Sequence, residues 1–144
     1  MPSSACAPRI GSCWIDSPGD AVEYLTVDDL IEIASGILPS VEIRDIGLLA
    51  SAAGRPQTTA FGEDAYATFS DKAAALMHSL ARNHPLVDGN KRLAWGATRV
   101  FCLMNDHDVG YAVDDSEQLV LAVARGELDV PQIAESIRAH LRGP

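Results

Sequence analysis

Apolar residues recur at helical spacing over most of the chain beyond residue 24. Leu30, Ile33, Ala34, Ile37 and Leu38 form the first such run. Thr26 stands where an N-cap belongs, Asp29 follows three residues later as an imperfect capping box, and Pro39 stops the helix. Ile46 to Ala53 reads as a second, short helix closed near Gly54. Arg55 to Asp64 breaks the period with Pro56, Thr58, Thr59 and Gly62 around Phe61, the pattern of a loop or short hairpin flap.

Ser70 is placed to cap a third helix, with Ala74, Met77, Leu80 and Ala81 on one face and Ala73 and Leu76 beside them. That helix has to end before His84-Pro85, because proline disfavours helical backbone in the residue before it. A fourth starts near Asn90 and runs to about Asn105 on a stripe of Leu93, Ala94, Ala97, Val100, Phe101 and Met104. Tyr111-Ala112-Val113 reads as extended, with Tyr24-Leu25 as its partner. Asp114 or Asp115 then caps a helix that runs through Leu119 to Ala124 and ends at Gly126. Asp129 and Pro131 open the last helix, which buries Ile133, Ile137 and Leu141. The expected fold class is therefore all-α: a compact helical bundle with a short flap and at most one small extended pairing.

Residues 1–22 depart from this pattern. Ser, Pro and Gly dominate without a period, so they are expected to be a poorly ordered leader before a domain at 23–144. A chain of 144 residues, 47% of them apolar, suits one domain with a real core. Lys and Arg number 11 against 20 Asp and Glu, a formal charge of −9. Direct nucleic-acid binding is not expected of so acidic a chain, since phosphate neutralisation needs a basic face. Cys6, Cys13 and Cys102 lack the spacing of a metal site or a disulfide framework and read as free thiols. No signal peptide and no membrane-length apolar run is evident, so a cytoplasmic location without membrane association is expected.

Chemistry concentrates in His84-Pro85-Leu86-Val87-Asp88-Gly89-Asn90-Lys91-Arg92, between the third and fourth helices. Gly89 and Asn90 fall where a helix begins, where backbone N–H groups lack intrahelical acceptors and the helix dipole adds partial positive charge. Gly89 admits close approach of a ligand to that backbone, so the turn suits a phosphate. Lys91 and Arg92 add cationic donors. Asp88 offers a hard oxygen to a magnesium ion shared with phosphates, and His84 can act as a general base for a hydroxyl. Singly, Asp-Gly-Asn is a common turn, Lys-Arg a solvated helix face, and His before Pro a loop residue. Together, opening a long apolar helix, they form a combination that chance rarely gives. Asp106, Asp108, Asp114 and Glu117 fall at calcium-loop positions, but Tyr111 stands where that loop needs glycine, so they read as turn and capping residues.

The segment resembles the motif of the Fic/Doc family, in which His is followed by an aromatic two residues on, an acidic residue, Gly-Asn, a small residue and Arg. It is most similar to the death-on-curing (Doc) toxin branch, because Lys91 stands where AMP-transferring members carry Gly. Arg44-Asp45-Ile46-Gly47-Leu48-Leu49, Arg55-Pro56-Gln57, Phe61-Gly62-Glu63-Asp64, Lys72-Ala73-Ala74-Ala75-Leu76 and Ala122-Val123-Ala124-Arg125-Gly126 also look like Doc-type sequence. The resemblance covers roughly residues 24 to 142. It implies a toxin that transfers phosphate from ATP, with Mg²⁺, to a Ser or Thr hydroxyl of a translation protein of the elongation factor Tu class, and that is held in check by an antitoxin protein. It implies His84 as the base, Asp88 as the metal ligand, Gly89 and Asn90 as an anion hole, and Lys91, Arg92 and Arg82 on the nucleotide phosphates. A flap with Arg55, Thr58, Thr59 and Phe61 would dock the target.

The sequence departs from that pattern at three points. Leu86 replaces the usual aromatic, which is expected to loosen the loop slightly. Trp95 stands in place of a second motif Arg that AMP-transferring members use on the terminal phosphate. The inhibitory pattern of Ser/Thr, Glu four residues on, then Gly or Asn is missing; Thr59 and Glu63 have the spacing, but Asp64 follows. Lys91 and Trp95 favour phosphate transfer over AMP transfer, the alternative activity. A non-catalytic module that only grips an antitoxin is the alternative from another class.

Overall fold

The computed structural model describes residues 22–142. All but the last residue of the leader expected at 1–22, and with it Cys6 and Cys13, lies outside the described residues. Within them the elements run α1 (Val27–Ile37), α2 (Ile46–Gly54), a 3₁₀ turn (Arg55–Gln57), β1 (Thr59–Ala60), β2 (Glu63–Asp64), α3 (Phe69–Asn83), α4 (Asn90–Met104), β3 (Asp108–Val109), α5 (Val113–Ala124), α6 (Val130–His140) and β4 (Leu141–Arg142). The fold is mostly helical. Strands β1 and β2 form the flap as an antiparallel pair, and β3 pairs antiparallel with β4.

Helix α3 sits at the centre and packs against α2, α4, α5 and α6. Its burial therefore exceeds one stripe and takes in Ser70, Lys72 and Ser79 beside Ala73, Ala74, Ala75, Leu76, Met77 and Leu80. Phe101 of α4 anchors the core between Phe69, at a ring distance of 5.0 Å, and Tyr24, at 6.1 Å. Val100, expected in the apolar stripe of α4, is exposed instead. The capping box of α1 forms as the sequence suggests, with Asp29 N donating to Thr26 Oγ1 and Thr26 N to Asp29 Oδ2. Asp129 and Gln132 form another at α6, with Pro131 in its first turn.

Four local expectations need correction. The cap of α3 is Thr68, not Ser70: Thr68 Oγ1 accepts from Asp71 N at 3.1 Å, which frees Phe69 to enter the helix and bury against Phe101. Neither Asp114 nor Asp115 caps α5; Ala112 is the N-cap and both acids lie in the first turn, where the helix dipole favours them. Leu141 is past the end of α6 and half-buried in β4. Tyr24-Leu25 does not pair with Tyr111-Ala112-Val113. The Asn105 side chain takes the backbone of Glu23 instead, accepting from its N–H at 2.8 Å and donating to its carbonyl at 2.9 Å. Tyr111 stacks on His140 and bonds Ser136 through its hydroxyl.

The flap is tied to α3 by two cations. Lys72, 4% exposed, donates to Asp64 Oδ2 at 3.2 Å and to the carbonyl of Tyr66. Arg55 bonds the Tyr66 hydroxyl, His78 Nδ1 and Ser79 Oγ at 2.8–3.0 Å. Burial, and then the positive charge of Arg55, hold the His78 pKa below 6.5. With Arg55 as donor, Nδ1 must accept, so His78 is neutral in the fold. The unfolded chain then binds the extra proton first as pH falls, and stability is lost as pH drops through the unfolded value toward the lower folded one. Thermal unfolding between about pH 7.5 and about pH 5.5, a window around the ordinary histidine value, should show this loss, and His78→Gln should reduce it. An equal pH slope in both proteins would contradict the neutral assignment.

Candidate functional site

The turn between α3 and α4 is built around a residue in an unusual conformation. His84 ends α3 in the left-handed region, at φ 51° and ψ 62°, where glycine or asparagine is the ordinary choice. Arg44 holds it there. Its guanidinium donates Nε to the carbonyl of His84 at 2.7 Å and a terminal N–H to the carbonyl of Asn83 at 2.8 Å. These are carbonyls at the end of a helix that have no intrahelical donors. The Pro85 carbonyl accepts from the backbone of Arg44 and Asp45, and Val87 N donates to the carbonyl of Glu42. Residues 42–45 thus brace the turn along one side, with a single bridge between Ile43 and Leu86.

Asn90 latches the other side. Its side chain accepts from Leu86 N and donates to the Leu86 carbonyl, both at 2.9 Å, and the residue is 8% exposed. Leu86 is itself buried at 1%. The smaller anchor expected to loosen this loop is thus fully packed, and its backbone is held on both sides.

Gly89, at φ 88°, begins α4 with no side-chain cap on the helix. A Cβ there would lie 2.7 Å from the Leu38 methyls, so both the backbone and the buried Leu38 side chain just after α1 call for glycine. Asp88 Oδ1 accepts from Gly89 N at 2.9 Å, which leaves its second oxygen to other partners. The amides of Asn90, Lys91 and Arg92, in the first turn of α4, have no intrahelical acceptor.

His84, Asp88, Gly89, Asn90, Lys91 and Arg92 all line one cavity of about 530 Å³, with Leu38, Pro39, Ser40 and Glu42 as its opposite wall. His84, Asp88, Lys91 and Arg92 are exposed to it, and among the described residues no ion pair ties up Lys91 or Arg92. Cationic side chains, free helical amides, an imidazole and the Asp88 carboxylate therefore share one open space. The hard oxygens of Asp88 suit a magnesium ion held jointly with phosphates. Among the described residues there is no cluster of three or more His, Cys, Asp or Glu that would hold a metal by itself.

The remaining expected site residues lie elsewhere. Arg82 donates to the Ala124 carbonyl at 3.0 Å, beside the end of α5, and does not line the cavity. Arg55 is engaged with Tyr66, His78 and Ser79. Thr58 and Thr59 are exposed at the root of the flap, and Phe61 stands fully exposed at its tip with φ 55°. None of the four lines the cavity. Two contributors had no assigned role in the sequence. Arg44 is visible there only as part of a family-like stretch, and Glu42 carries no motif at all; pairing of residues 42–45 with the turn is what brings them in.

The model of the Fic/DOC family matches residues 24–102, which contain the whole cavity. The chain is 44% identical over 118 residues to the protein named Toxin Doc of Mycolicibacterium smegmatis, across 80% of this chain and 91% of that one. Among the described residues no helix is long and apolar enough to cross a membrane.

Proposed function

Since the chain belongs to the Fic/DOC family, we propose that it is the toxin of a toxin–antitoxin pair and transfers the terminal phosphate of ATP to a Ser or Thr hydroxyl of a translation protein. The observation that carries this is the single cavity joining His84 to the uncapped start of α4, Lys91 and Arg92. The His84 imidazole takes the proton from the attacking hydroxyl. Its oxygen forms a bond to the terminal phosphorus as the bond to the bridging oxygen breaks, and ADP leaves with that electron pair. Lys91, Arg92 and the amides of α4 neutralise the phosphate charge, which is the main work in phosphoryl transfer. Asp88 would hold Mg²⁺, which supplies charge neutralisation on the phosphates when bound. The Arg44 and Asn90 side chains position the turn, and the Asn90 backbone amide is among those that face the phosphates.

The fully exposed Phe61 at the flap tip suits docking of a target segment. An antitoxin would supply the block that the chain's own sequence lacks, as an amphipathic helix in an apolar groove. Location in the cytoplasm follows from such a target.

Incubation with translation factors and ATP labelled at the gamma or alpha phosphate tests the assignment. Gamma label on a target, with the matching phosphate mass increment, is expected. Alpha label would restore AMP transfer. No increment on any factor would leave antitoxin binding as the function, the reading that Leu86 and Trp95 favour in the sequence.

Asp88→Asn is expected to weaken binding of magnesium-ATP more than binding of antitoxin, because the lost charge acts on the metal. Calorimetric titration that gives the same nucleotide affinity for both proteins would remove Asp88 from metal binding.

A further inference from the structure

Glu42 stands on the wall of the cavity that faces Lys91 and Arg92. Backbone contacts fix its place there. The antiparallel bridge between Ile43 and Leu86 sets Glu42 opposite Val87, whose N–H donates to the Glu42 carbonyl at 2.9 Å. Side chains alternate between the two faces of such a pairing, and Leu86 takes the buried one. Glu42 and Val87 therefore share the other face, and both line the cavity. Glu42 is exposed, and Val87 is 60% exposed. Among the described residues no ion pair joins the Glu42 carboxylate to a cation. A carboxylate beside an exposed apolar side chain thus looks across the cavity at the groups assigned to the phosphates.

We propose that Glu42 selects the target: it binds a Lys or Arg next to the Ser or Thr that is modified, and Val87 covers the stem of that basic side chain. The inference rests on the phosphotransfer assignment and adds the charge of the accepted segment to it. Three features select this occupant. Phosphates held at the start of α4 are repelled by a carboxylate on the facing wall, so Glu42 needs a cation that neither the nucleotide nor the described chain supplies. The attacking and leaving oxygens stand roughly in line across the transferred phosphorus. The hydroxyl therefore approaches from the side away from the cations that hold ADP, and Glu42 is on that wall. Lys and Arg combine an apolar stem with a charged head, which matches Val87 beside a carboxylate; a hydrated metal ion gains nothing from Val87. Because His84 and Glu42 line one cavity of about 530 Å³, the basic residue has to be a close neighbour of the hydroxyl that His84 deprotonates.

The test compares the wild-type chain, Glu42→Gln and Glu42→Lys on the translation factor that the wild type labels from gamma-labelled ATP, with the modified residue mapped by mass spectrometry. A Lys or Arg is expected next to that residue. Glu42→Gln should lower kcat/KM for the factor by roughly 10-fold, and Glu42→Lys, which sets like charges against each other, should lower it further. Both variants should bind magnesium-ATP at least as tightly as wild type in calorimetry, which also shows that the phosphate site remains folded. Replacing the factor's own flanking Lys or Arg by Ala should cost the wild-type chain a similar factor and cost Glu42→Gln little more, as for two groups that act on each other. Unchanged kcat/KM in Glu42→Gln would overturn the assignment, and so would a modified residue with no flanking cation. Weaker magnesium-ATP binding in Glu42→Gln would overturn it as well, by placing the carboxylate on the metal. Absence of gamma label on every factor would defeat the transfer function itself, and the selection with it.

Discussion

Replacing His84 by alanine is expected to lower phosphate transfer by a factor of about 10² to 10⁴, the usual contribution of a general base. The fold should hardly respond. His84 is exposed, and the structure gives its side chain no hydrogen bond among the described residues; the bonds at this position run through its carbonyl to Arg44. Alanine keeps that carbonyl. An exposed substitution of this kind changes stability by roughly 0.5 kcal/mol or less. Denaturant unfolding and single-turnover transfer, measured on the same preparation, separate the two effects. If the variant transfers phosphate at the wild-type rate, another group accepts the proton.

Asn90→Ala should show the reverse balance, with loss of stability as well as activity. The Asn90 side chain satisfies both the N–H and the carbonyl of Leu86, in a place closed to water. Truncation leaves two buried backbone groups without partners, at about 1–3 kcal/mol each, so a loss of roughly 2–6 kcal/mol is expected. Asn90→Asp should fall between. Its carboxylate can still accept from Leu86 N but places a negative oxygen against the Leu86 carbonyl. Because the latch fixes the turn that carries His84 and Asp88, activity should fall even where the variant remains folded. Unfolding midpoints within experimental error of wild type for Asn90→Ala would show that the latch is not needed to hold the loop.

Arg55 and Arg82 show how a sequence pattern can name a residue without locating its work. Both are cations to which the family resemblance gives a role, and both are expected at a site. In the fold Arg55 ties the root of the flap to α3, and Arg82 reaches the end of α5. Lys72 is similar: a lysine in a helical run reads as solvated, but it is buried because the flap folds over it and offers Asp64 and the Tyr66 carbonyl. Such roles depend on what the far end of a long side chain meets, and that is set by elements distant in the chain.

The helices were determined by local chemistry. Period, caps and breakers are short-range signals, so α1, α2, α4 and α6 start where Thr26, Asp45, Gly89 and Asp129 place them. The six-residue core of the cavity was equally local, since His84, Asp88, Gly89, Asn90, Lys91 and Arg92 sit on one turn and the start of one helix. Where local signals were close in strength, packing chose: Thr68 over Ser70 as the cap of α3, because that lets Phe69 bury against Phe101. Only the tertiary structure supplied the other wall of the cavity, from Leu38 to Glu42, and the Arg44 clamp on His84. These lie some forty residues away in sequence, and backbone bonds and one bridge bring them to the turn. A bridge of that length leaves no period and no motif in the sequence, because its hydrogen bonds are made by backbone groups that every residue type shares.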